Sequence, residues 1–328
     1  MEKNQLHNWK APEGVVLPNF IIGGAMKSGT STMHAILDQH PKIFIPHEEI
    51  GFFDIDNVIE HYDFNFYDRK SQQWTVQEMG ENPQQLWDWY SSKFKEGEGM
   101  LRGEDSTSYL TSKFAAQRIS IQEKEIKLIF MLRQPSKRAY SNYHHLVRAG
   151  IVAHSFEDVL QYHPNSVLRR SLYLDQLEAY YKFIPKKNIK VVIFEDLIEN
   201  SKSVMKEVCE FLEIDMDEFD SSVFETHSNA GKFPLFSKPQ LLKNLLFRRY
   251  GNSFNLKSLP IEAPNSVVKR VLFPKIINRL HGLVNPLKVR KKTVMKPATK
   301  QFLDAYFKKE LTGLDELVGR DILDKWFP

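Results

Sequence analysis

Lys27 stands in a glycine loop, Gly24-x4-Gly29, between a short apolar run, residues 19–22, and a stretch whose apolar positions Met33, Ile36 and Leu37 recur at helical spacing. Gly23, Gly24 and Gly29 predict a turn in which the backbone approaches a ligand closely, because glycine has no Cβ to obstruct it. Thr30, Ser31 and Thr32 have the composition of a helix N-cap. A strand, a nest and a helix N-terminus in that order favour a phosphate-sized anion, since free N–H groups and the helix dipole both point at it. The loop differs from an ATPase loop, in which Lys and then Ser or Thr follow the second glycine. Here Thr30 and Ser31 follow it, and the lysine lies inside the loop.

Other chemically able residues fall where further strands are predicted to end. Residues 42–45, 101–104, 126–132 and 189–194 read as strands, with 126–132 a continuous apolar run fit for the middle of a parallel sheet. Glu104, Arg133 and Glu195 lie at the carboxyl ends of three of them, which is where parallel sheets bind ligands. Helices are expected over 83–94, 136–148, 156–162, 171–183, 202–212 and 297–307. Alternating strands and helices predict an α/β fold, a P-loop-like parallel sheet flanked by helices. Residues 56–77 are rich in aromatics without a clear period, suiting either an acceptor-pocket wall or packing under a long loop.

Length and composition, 328 residues with 42% apolar and 26% charged, fit one large α/β domain with a substantial core. The single cysteine, Cys209, excludes an internal disulfide and reads as a buried helical thiol. With no signal-like N-terminus and no apolar run near the roughly 18 residues that span a bilayer, the sequence predicts a cytoplasmic protein. Net charge is +4, unevenly spread. Residues 232–292 hold fourteen Lys or Arg and one acid, Glu262, so this segment carries +13 and the remainder about −9. It reads as a basic helical insertion near the C-terminus: a lid, a packed cap, or, over 238–290, a peripheral membrane contact. The expected organisation is one domain, with an 18–230 nucleotide-binding core, the 232–292 insertion and 293–328 completing the core.

Four blocks in order resemble the sulfotransferase family that uses 3′-phosphoadenosine 5′-phosphosulfate (PAPS), and particularly the branch containing heparan sulfate sulfotransferases and their bacterial relatives. They are KSGTST (27–32), HEEIGFFD (47–54), LRQPSKRAYSNY (132–143) and RSLYLDQLEAYYKFIPKKNIKVVIFEDL (170–197), with LVGRD near the end. The resemblance implies transfer of a sulfuryl group from PAPS to a hydroxyl or N-linked group of a small-molecule acceptor, in line, leaving 3′,5′-ADP, with no metal. It implies that Lys27 steadies the leaving 5′-phosphate and that Ser28, Gly29, Thr30, Ser31 and Thr32 surround the phosphosulfate. Arg133 and Ser141 would hold the 3′-phosphate, an oxyanion that suits a guanidinium fork. Glu49 falls at the family's general-base position, and Phe53, Glu104 and His145 fall on the acceptor side. His144 and His145 would point apart on their helix and make a poor metal pair.

The chain departs from the family pattern at two places. Glu104-Asp105-Ser106 replaces a motif in which a lysine follows the glutamate, which argues against an acidic polysaccharide. Glu48, Glu49, Asp54, Glu104 and Asp105 would suit a neutral or cationic natural product instead. The late lysine loop over the nucleotide has no clean match, and Lys291 and Lys292 are its nearest substitutes. Three alternatives remain at this point. One is a carbohydrate or glycolipid sulfotransferase docked on a membrane through the insertion, and one a P-loop kinase needing Mg²⁺-ATP. The last is a non-catalytic binding protein whose basic segment attaches it to nucleic acid or an anionic membrane; no nucleic-acid partner is expected for the enzyme.

Overall fold

A computed structural model describes residues 6–61, 64–68, 71–80, 83–220, 223–224, 232–247, 272–289 and 294–328. At its centre is β1, Phe20–Gly24, buried at all five positions. It is followed by α1 (Thr30–Leu37), β2 (Ile43–Phe44), β3 (Phe66–Asp68), β4 (Gln73–Thr75), α2 (Pro83–Ser92), β5 (Leu101–Asp105), α3 (Ala115–Ser120) and β6 (Lys127–Leu132). Next come α4 (Pro135–Arg148), α5 (Phe156–Tyr162), α6 (Asn165–Leu168), α7 (Tyr173–Tyr181), β7 (Ile189–Ile193), α8 (Phe194–Glu199) and α9 (Ser201–Leu212). The described chain continues with β8 (Lys232–Pro234), α10 (Ser237–Phe247), α11 (Leu272–Val284), β9 (Leu287–Val289), α12 (Pro297–Glu310), α13 (Leu314–Val318) and α14 (Leu323–Trp326).

The sheet runs β2-β5-β1-β6-β7, with every pairing parallel. Successive strand side chains point to opposite faces, so a run apolar at every position needs cover on both sides. Leu128, Phe130 and Leu132 of β6 enter one apolar cluster, with Leu177 and Tyr180 of α7 and Leu303 and Phe307 of α12. Ile129 and Met131 enter the other, with Met33 and Leu37 of α1 and Val208 and Leu212 of α9. The register sets Ile22 opposite both Asp105 of β5 and Ile129 of β6, so the strand ends that carry Asp105 and Arg133 flank the turn after β1. The C-terminal helices close one face, and Arg320 of the LVGRD segment pairs with Asp196 on α8.

Several elements differ from their sequence expectation. Gly23 and Gly24 belong to β1 and not to the turn; a Cβ at Gly23 would lie 2.5 Å from the Phe130 ring, so glycine here serves strand packing. The N-cap of α1 is Gly29, at φ 95°, and no side chain caps the helix. Thr30, Ser31 and Thr32 therefore form its first turn. Within the aromatic segment, β3 and β4 form an antiparallel hairpin. The helix expected over 171–183 is shorter, a 3-10 turn at Arg169–Ser171 preceding α7.

In the basic insertion, β8 and β9 pair antiparallel, and Lys243 and Gln240 of α10 bond Asn278 and His281 of α11. Asn244 donates to the carbonyls of Ala149 and Gly150 just after α4, fastening the insertion to that helix. No described helix is long and apolar enough to cross a membrane.

Candidate active site

Lys27 lies at the crest of the loop after β1 with a left-handed backbone, φ 69°, and Gly29 follows at φ 95°. Gly29 has no room for a side chain, since a Cβ there would stand 2.4 Å from the Phe194 ring. The amides of Thr30 and Ser31 precede the first backbone bonds of α1, which Thr32 and Met33 donate to the Gly29 carbonyl, and no side chain caps them. Ser28 is buried beside the Tyr173 phenol, Thr32 is half-buried and Ser31 is exposed.

Cations gather on this loop. Arg133, at the end of β6, donates through Nη1 to the Lys27 carbonyl at 3.2 Å and lies over the Phe194 ring, 4.8 Å from its centre. Tyr173 fixes the same turn by donating to the Arg133 carbonyl. Arg138 of α4 is fully buried and donates to Ser171 Oγ, the Val167 carbonyl and the Met26 carbonyl. Burial, and then the neighbouring charges of Arg148 and Arg133, lower the Lys27 ammonium pKa; burial lowers that of Arg133 and brings Arg138 to about 10. His145, on the same helix as Ser141, is pushed down to about 4 by burial and then by Lys27, Arg148 and Arg170. Ser141 and His145 are four residues apart on α4 and therefore share a face with Arg138 and Arg148. The cations outnumber the carboxylates beside them, which are Glu49 near Lys27, Glu195 near Arg133 and Glu60 paired with Arg170. The Nε of Arg133, buried without a partner, is a further donor in hand.

Glu49 lies across from Lys27, in the loop between β2 and the Phe52–Asp54 turn. It is exposed to solvent. Thr107 donates to Glu49 Oε2 at 2.8 Å. Burial among its neighbours, and then the charge of Asp105, hold the Glu49 carboxyl above the usual range, while Thr107 and Arg170 oppose the shift.

The loop bearing Glu49 is tied down from below by Glu104. Tyr109 and Ser106 donate to Glu104 Oε1 and Tyr90 to Oε2. Those hydroxyls also receive the chain after Glu49: Ser106 Oγ accepts from Gly51 N at 2.8 Å, and Tyr109 Oη from Phe53 N at 3.0 Å. Gly51, at φ 64°, leaves space for the His61 ring, which a Cβ would approach to 2.6 Å. His61 in turn bonds Asp54 Oδ1 at 2.7 Å.

This geometry corrects two acceptor-side expectations. Glu104 is fully buried and meets hydroxyls of its own protein, and Phe53 is fully buried among Phe52, Trp87, Tyr90 and Tyr109. Both shape the floor of the site without facing it. The acidic pocket shrinks likewise: Asp54 and Asp105 are buried and Glu48 pairs with Lys93 at 2.7 Å, which leaves Glu49 open. Lys291 and Lys292 lie outside the described residues. Spacing alone did not single out Thr107, Tyr173, Phe194 and Arg170, each of which reaches the site from a different element.

A sulfotransferase domain model matches residues 17–245, well over half of the chain. The chain belongs to the sulfotransferase family. Among its relatives, heparan sulfate glucosamine 3-O-sulfotransferase 5 of Mus musculus is 28% identical over 211 residues, covering 60% of this chain and 54% of that protein. The membrane-associated sulfotransferase kil1 of Dictyostelium discoideum is 33% identical over 131 residues, covering 39% of this chain and 23% of that protein. This sulfotransferase chain thus spans about half or less of the length of these curated relatives. In architecture it is similar to a sulfotransferase from Alicyclobacillus acidocaldarius, with a TM-score of 0.60, 23% identity, and coverage of 95% of this chain and 99% of that one. That likeness concerns the fold: the parallel sheet with helices on both faces.

Proposed function

We propose that the protein transfers a sulfuryl group from PAPS to a hydroxyl of a small-molecule acceptor, with Glu49 as general base. The observation that carries this reading is the opposition of one carboxylate, Glu49, to a loop crowded by Lys27, Arg133, Arg138 and Arg148. The residues present fit the nucleotide. The uncapped start of α1 and the unpartnered Nε of buried Arg133 both suit a phosphate. Lys27, the amides of residues 29–31 and the hydroxyls of residues 30–32 would hold the 5′-phosphosulfate, and Arg133 with Ser141 the 3′-phosphate. When bound, PAPS supplies a sulfuryl group attached to a good leaving phosphate.

The chain's own groups then divide the work. Lys27 and the helix N-terminus steady negative charge as it grows on the leaving oxygen, from positions already set before reaction. Glu49 accepts the hydroxyl proton, held by Thr107 so that one carboxylate oxygen points in a fixed direction. With charge stabilisation and alignment supplied, little covalent chemistry is asked of the protein, as in phosphoryl transfer. The reduced acidic lining supports a neutral hydroxyl compound, with no particular attraction for a cation.

Calorimetric titration with 3′,5′-ADP tests this reading against Mg²⁺-ATP. Wild type is expected to bind 3′,5′-ADP in preference, and Arg133→Ala to weaken it on the order of tenfold or more, the scale of a lost hydrogen bond to a charged group. Preference for Mg²⁺-ATP would sink the reading in favour of a kinase.

A second reading, a lipid-borne acceptor met at an anionic membrane, draws on one further observation. Leu242, Leu245 and Leu246 of α10 and Ile276, Leu280, Leu283 and Val284 of α11 stand exposed, at helical spacing within the most basic segment of the chain. Exposed leucines among Lys and Arg suit an anionic bilayer surface. Under this reading, wild type sediments with phosphatidylserine vesicles, and a Leu245→Glu, Leu283→Glu double variant loses most of that binding. Equal sedimentation of the two would remove the insertion as an anchor.

A further inference from the structure

Asp105 ends β5, two residues before the threonine that holds Glu49. It is only 4% exposed, and its Oδ1 is buried with no hydrogen-bond partner. Its Oδ2 lies 3.3 Å from Nδ1 of His34, which projects from α1, the helix that opens at the glycine loop. Three elements, the loop after β2, the end of β5 and α1, thus bring a second carboxylate and an imidazole to the proposed base. Resting on the sulfotransferase reading, we propose that Asp105, oriented by His34, is a positioning residue that makes Glu49 a stronger proton acceptor.

The reason lies in a conflict within the site. A base beside an anion receptor sits among cations, and cations stabilise the deprotonated carboxylate and make it a poor base. Glu49 faces Lys27 from the glycine loop and Arg170 from the turn before α7. Asp105 is the anion that offsets them. Two nearby carboxylates repel one another, and a proton arriving on Glu49 relieves that repulsion. Asp105 is suited to exert it, because it is buried and one of its oxygens has no donor to spread its charge. His34 limits the effect: although its own burial favours the neutral ring, the hydrogen bond and charge of Asp105 raise its pKa, with Asp38 and Glu49 adding to the rise. Asp105 itself is shifted up by burial, with the hydrogen bond and charge of His34 opposing.

The pair is read directly by carbon-13 NMR of protein carrying labelled glutamate, with the Glu49 carboxyl assigned by its loss in Glu49→Gln. No acceptor or cofactor is needed. Wild-type Glu49 is expected to titrate in two steps shared with Asp105. In Asp105→Asn one step remains, at lower pH than the upper wild-type step. In His34→Gln, which removes a positive neighbour, the steps move to higher pH. A Glu49 titration unchanged in Asp105→Asn, or one that does not rise in His34→Gln, overturns the proposal. Calorimetry with 3′,5′-ADP on the same variants separates this outcome from the fate of the cofactor reading: affinity equal to wild type shows that the nucleotide site is intact while Glu49 titrates differently.

Discussion

Glu49→Gln retains 3′,5′-ADP affinity within about twofold and lowers kcat by roughly 10² to 10⁴, the range that a general base contributes. Glutamine keeps the size of the side chain and can still accept from Thr107, so the loop remains in place. What it lacks is a proton acceptor strong enough for an alcohol. Single-turnover sulfation of any acceptor that wild type uses, measured beside nucleotide binding, separates the two effects. A rate equal to wild type would move the base elsewhere. His145 on α4 is then the first place to look, because burial and the surrounding cations keep its ring neutral down to about pH 4.

Glu104→Gln removes much of the pH dependence of stability between about pH 4.5 and 7. Burial pushes the Glu104 carboxyl from 4.5 up to about 7, against the hydrogen bonds of Ser106, Tyr109 and Tyr90 that hold it down. A raised carboxyl pKa means that the folded protein keeps this proton where the unfolded chain has lost it. Stability is therefore highest below 4.5, as far as this group is concerned, falls as pH rises to about 7, and is level above. The interval corresponds to roughly 3 kcal/mol for one group. Glutamine mimics the protonated form and can satisfy the same three hydroxyls after they rotate. Urea unfolding from pH 4.5 to 8 should show the stability of the variant relative to wild type growing through this window and then levelling. Parallel curves for the two proteins would show that Glu104 keeps its charge state on folding.

Much of the glycine-loop side of the candidate site was legible in the sequence, because the groups concerned are local. Strand, glycine, lysine and helix start lie within twenty residues, and a loop of that order dictates where backbone amides point. Arg133 was legible for a similar reason: a continuous apolar run must be an inner strand, and its last residue must stand at the ligand end of a parallel sheet. The cap of α1 was misread because three hydroxyl residues in a row outweighed a glycine at φ 95°, a conformation that composition does not reveal.

By itself, then, the amino-acid sequence determined the class of fold, the order of the strands' loaded ends and the glycine loop that leads into a helix, all of which follow from local hydrophobic pattern and residue order. Tertiary structure alone decided which acids are free to react. Glu49, Asp54, Glu104 and Asp105 look alike in composition, yet one opens to solvent, one bonds a buried histidine, one is enclosed by three hydroxyls and one is set against His34. The physical reason is that a carboxylate's chemistry is fixed by its desolvation and by donors brought from elsewhere, here Tyr90, Tyr109, His61 and His34, whose distance along the chain carries no signal of their proximity.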